Sequence, residues 1–111
     1  MANRWNIPIW LEREVIARDR ACIYCRVVFS PIVEERKYKP SWEHIVNDAP
    51  IVTRENIALC CVARNASKGA KCLAIWLDSN YCKKRRINLG TVAEIVQKAF
   101  ANRPTIEDAR A

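Results

Sequence analysis

A Cys-x-x-Cys turn, Cys22-Ile23-Tyr24-Cys25, constrains this chain more than any other feature, because it brings two thiols to one side of a tight turn. Six cysteines lie among 111 residues, and the chain opens Met1-Ala2-Asn3-Arg4-Trp5-Asn6, without a charged segment followed by an apolar run. In the absence of a secretory leader, the expectation is a cytoplasmic protein whose cysteines are thiols or metal ligands, not a disulfide framework. A redox role is a weaker reading, since nothing around the motif resembles a thioredoxin βαβ unit. No apolar stretch approaches the roughly 18 residues of a membrane span, so no membrane partner is expected.

The length suits one domain with a single core. Half of the residues are apolar and only two are glycine, so the chain should fold throughout apart from its ends. Nineteen Lys and Arg against 12 Asp and Glu give a net charge of +7. A field of that sign draws polyanions and makes nucleic acid the natural partner. The plainer alternative is that the charge only keeps the protein in solution.

Periodicity sets out the elements. Pro8 and the apolar positions Leu11, Val15 and Ile16 predict a helix over residues 8–19. Val27, Val28 and Phe29 suit a short strand, with an exposed loop through Glu34-Glu35-Arg36-Lys37. Trp42-Glu43-His44-Ile45-Val46 has the content of a strand and can pair with Ile57-Ala58-Leu59-Cys60-Cys61 as a hairpin. Residues 65–79 read as a helix through Leu73, Ile75, Trp76 and Leu77, and residues 90–101 as a final helix through Val92, Ile95, Val96 and Phe100. Residues 103–111 read as a frayed tail. Trp10 and Trp76 are expected in the core, while Trp5 carries no readable signal.

Glu43-His44-Ile45-Val46, then Glu55-Asn56, then Asn65-Ala66-Ser67-Lys68-Gly69 follow the Cys-x-x-Cys turn in order. This arrangement resembles the HNH endonuclease family, in its small bacterial and phage-like branch with Asn at the third motif position. The resemblance covers about residues 20–88 and extends to Trp76-Leu77 and Tyr81-Cys82. It implies an α+β fold with a ββα-metal (His-Me finger) core, flanked by N-terminal and C-terminal helices, in a domain spanning residues 1–102. The implied activity is metal-dependent hydrolysis of DNA phosphodiester bonds. One active site cuts one strand, so nicking is expected of a monomer and double-strand cleavage of a homodimer.

The chemistry asks little of the protein: a base for water and a cation to offset charge on the phosphate and leaving oxygen. His44 is the only histidine and can accept a proton at neutral pH, which makes it the candidate general base. The resemblance makes Glu43 and Asn65 metal ligands, Asn56 a brace for the loop between the strands, and Lys68 a contact to phosphate. Oxygen donors suit Mg²⁺ or Mn²⁺. Strand alternation would send Glu43 and His44 to opposite faces, so a bulge or the strand's end is needed at that point. Lys71 and the block Lys83-Lys84-Arg85-Arg86 are candidates for backbone contacts to DNA.

Many relatives hold a structural zinc with two Cys-x-x-Cys knuckles. The resemblance makes Cys22, Cys25 and Cys61 three of the ligands, but Arg64 stands where the fourth is expected and cannot bind a cation. Cys60, Cys72, Cys82 or a water are the alternatives for that position, and the plain reading is that the cysteines pack as small apolar groups. The rival function is a non-catalytic, treble-clef-like module that binds nucleic acid. His44 beside Glu43 is what such a module would not need.

Overall fold

The computed structural model describes residues 5–32 and 35–102. Among these, five α-helices accompany one two-stranded antiparallel sheet, a small α+β protein. The chain runs α1 (Ile9–Arg18), a single 3₁₀ turn (Arg36–Tyr38), β1 (Pro40–His44), β2 (Ile57–Cys61), α2 (Val62–Lys68), α3 (Leu73–Leu77), α4 (Asn80–Arg85) and α5 (Glu94–Ala101). The tail expected at 103–111 lies outside the described residues, as does part of the charged loop, residues 33–34.

Pro8 sits at the N-cap of α1 with extended backbone, and its carbonyl accepts from Leu11 and Glu12. Leu11 and Val15, four residues apart, are the buried stripe of that helix. Ile16 and Trp10 are instead exposed, Trp10 by 58 %. Trp10 precedes Leu11 by one residue, about 100° around the helix, and carries the Arg54 guanidinium 5.7 Å above its ring. It is a surface residue, contrary to the core placement expected of it, whereas Trp76 is 1 % exposed and lies in the core as expected.

The hairpin pairs Pro40 with Cys61 and closes with His44 opposite Ile57. Every residue of β2 is buried, because each of its faces has a core against it. Ile57 and Leu59 pack with Ile7, Leu11 and Val15 of the N-terminal segment. Ala58 and Cys60 meet Tyr24, Trp76 and Val96 on the other side. The outer edge of β2 is covered rather than left open. Asp19 accepts from Leu59 N at 3.0 Å, Arg18 donates to the Ile57 carbonyl at 2.8 Å, and Ile23 N donates to the Leu59 carbonyl at 3.2 Å.

Three expected elements differ. Residues 27–29 form no strand: Val28 makes an isolated bridge with Ala21, closing the loop around the Cys22–Cys25 turn. The helix expected over 65–79 starts earlier, directly after β2, and is cut in two at Gly69, whose φ of 49° with ψ of −127° lies outside the left-handed helical well and strains any residue with a Cβ. The final helix starts at Glu94 instead of residue 90, because Asn88 and Thr91 fold the preceding segment into a turn. No described helix is long and apolar enough to cross a membrane.

Candidate functional site

β1 ends at His44, so strand alternation stops there. Glu43 and His44, though adjacent in sequence, both line one recess of about 570 Å³. Ser41, Trp42, Asn47 and Asn65 line it with them, and Trp5 closes one side. A larger groove of about 870 Å³, lined by residues such as Arg20, Arg54 and Lys98, takes in Glu55 but none of Glu43, His44, Asn56, Asn65 and Lys68.

His44 is 7 % exposed, and its Nε2 is buried without a hydrogen-bond partner among the described residues. A buried imidazole nitrogen left in that state is costly unless solvent or a ligand completes it. The Trp5 ring meets the imidazole edge-on, with centroids 5.1 Å apart. Trp5 is therefore part of the site, and a lone tryptophan ahead of any periodic segment gave no signal of it.

Asn65, in the first turns of α2, donates its Nδ2 to Ser41 Oγ and to the Trp42 carbonyl, both at 2.9 Å. These bonds fix the amide's orientation and spend its donor end on β1. Asn56, 4 % exposed, accepts from Val46 N at 2.7 Å and donates to the carbonyls of Val46 and Ile51 at 3.1 and 3.0 Å. It clamps the loop that follows His44 from within.

Glu43 is held by two groups. Tyr24 donates its hydroxyl to Oε2 at 2.5 Å, and Lys68 Nζ lies 3.2 Å from the same oxygen. Burial pushes the Glu43 carboxyl up, against the opposing pull of Lys68 and Tyr24. Burial, and then the charge of Glu43, push the Tyr24 phenol up, so it remains a donor. Lys68 has 0 % exposure. It is not the solvated lysine that was the plain alternative for its position, because the strand carboxylate draws its ammonium inward. Lys71 and the four basic residues 83–86 are exposed. Of these, Lys83 pairs with Asp78 at 3.5 Å and Arg85 lies over the Tyr81 ring at 3.8 Å. None of the five lines the recess.

Where β2 runs into α2, Cys22, Cys25 and Cys61 bring their sulfurs within 4.8 Å of one another, close enough to hold a metal ion. Cys25 and Cys61 are 3.8 Å apart, about the edge of a tetrahedron with metal–sulfur bonds of ~2.3 Å. Cys22 Sγ accepts from the backbone N–H of Tyr24 and Cys25 at 3.4 and 3.5 Å. Arg26, with φ of 67°, turns the chain back. Hydrogen bonds from Cys22 and Cys61 hold the Cys25 thiol far below the ordinary range, with Arg64 adding a smaller electrostatic pull, while Cys22 is pushed up. Cys60, Cys72 and Cys82 do not join the cluster. Arg64 instead donates to Tyr81 Oη at 2.8 Å, and its Nε is buried without a partner among the described residues. Burial opposes the charge of that guanidinium, but the Tyr81 hydroxyl and the two nearby cysteines outweigh it and hold its pKa up.

In comparison with known proteins, no family model matches the chain, and no curated protein or solved structure matches it.

Proposed function

We propose that the protein is a metal-dependent DNA endonuclease of the HNH kind, with β1, β2 and α2 as its ββα-metal unit. The observation that carries this reading is the recess in which Glu43, His44 and Asn65 meet, with His44 Nε2 buried and unpartnered among the described residues. In this reading His44 takes a proton from water at Nε2, and the hydroxide attacks the phosphorus in line with the leaving oxygen. Glu43 and Asn65 would hold Mg²⁺ or Mn²⁺, which when bound would offset negative charge on the phosphate and on the leaving oxygen as its bond to phosphorus breaks. The donor set fits such an ion: one carboxylate and one amide whose N–H₂ end is already spent on β1. Asn56 keeps the loop after His44 in place. Exposed Lys71, Lys84 and Arg86, with Lys83 and Arg85, supply backbone contacts to DNA. Cys22, Cys25 and Cys61 would hold a structural zinc that braces the turn against β2, with Arg64 in place of a fourth thiolate.

The test is relaxation of supercoiled plasmid with Mn²⁺ or Mg²⁺ and with EDTA. Nicked circles are expected only with metal, and Glu43→Ala and Asn65→Ala should each lower or abolish them. Binding of DNA with no cleavage under any divalent ion would favour the non-catalytic module instead.

A further inference from the structure

A buried ion pair stabilises a fold poorly, since desolvation offsets most of the attraction, and apolar replacement is often neutral or better. Lys68 and Glu43 form such a pair at 1 % and 6 % side-chain exposure, with Glu43 on the wall of the recess and Lys68 behind it. Three elements converge on it. Tyr24 reaches in from the Cys22–Cys25 turn, Lys68 from the last turn of α2, and Glu43 from the end of β1. The Tyr24 hydroxyl and the Lys68 ammonium both meet the carboxylate at Oε2. The same ammonium lies 3.4 Å from the carbonyl oxygen of His44, so one cation ties down both adjacent residues of the site.

A carboxylate gripped through one oxygen can offer only the other, in a fixed direction, as metal sites do when outer groups orient a ligand. We infer that Tyr24 and Lys68 are positioning residues, which hold Glu43 by Oε2 and leave Oε1 to take a hard divalent cation. This rests on the metal-ligand reading of Glu43 and removes Lys68 from the groups that touch DNA. A rigid Glu43 also explains why a lysine on α2 is buried at all, when its helix offers solvent on the side of Ala66.

Mn²⁺ alone is the probe, counted on the full-length protein by the loss of the free-ion EPR signal, without DNA. Tyr24→Phe removes one hydroxyl and Lys68→Met the charge; each should weaken Mn²⁺ binding by about 10–100-fold. The salt dependence of DNA affinity should be unchanged in Lys68→Met, because a buried ammonium neutralises no phosphate. A slope reduced by about one would return Lys68 to the DNA surface and overturn the inference. Circular dichroism reports whether Lys68→Met folds, and Tyr24→Phe decides alone if it does not. Parental protein that binds Mn²⁺ while folded Tyr24→Phe binds it equally well overturns this inference only. Parental protein that neither binds Mn²⁺ nor nicks DNA overturns the endonuclease reading along with it.

Discussion

Asn56 shows how much one residue can hold. Its side chain makes three hydrogen bonds to the backbone of the 45–56 loop, where Arg18 adds one more to the Arg54 carbonyl. Asn56→Ala leaves the Val46 N–H and the two carbonyls without it, and solvent reaches only part of that loop. We expect a loss of about 1–3 kcal/mol, read as a lower urea midpoint at constant slope. An unchanged midpoint would mean that water replaces the amide at no cost. At this scale the sequence was informative where chemistry picks the residue: a single histidine beside a carboxylate, an asparagine ahead of β2. It was uninformative for Lys68 and Tyr24. Charge predicts exposure for a lysine, and only the fold reveals that Glu43 waits inside.

Among the elements, the hairpin was legible because β-branched and aromatic residues bounded by prolines leave few alternatives, and α1 because Pro8 and the Leu11–Val15 spacing mark it. The α2–α3 break was less so. Periodicity runs on through Gly69, and the positive φ that ends α2 there has no signature beyond the glycine itself. The knuckle at 22–25 was legible in its thiols and silent on its geometry. That geometry brings Cys61, at the β2–α2 junction, to Cys22 and Cys25, with Arg64 one turn into the helix beside them. Arg64→Cys should therefore complete a tetrahedral site. The expected result is more zinc per chain and a higher Tm when zinc is present, in protein purified under reducing conditions. No gain in either would mean that position 64 does not reach the cluster. Parental protein already holding one tightly bound zinc would show that the open fourth position suffices.

For the whole molecule, the net charge of +7 and the exposed basic run on α4 favour DNA as the partner, but neither distinguishes cutting from binding. In the proposed endonuclease that distinction falls on His44, since affinity would come from Lys and Arg while the imidazole would act on water. The most direct measurement is the initial nicking rate of His44→Ala against the parent on supercoiled plasmid, at matched Mn²⁺ and salt, with DNA affinity measured alongside. The expected result is a rate lower by about 10²–10⁴-fold with affinity nearly unchanged. A variant that nicks at the parental rate would contradict the assignment of His44 as the base.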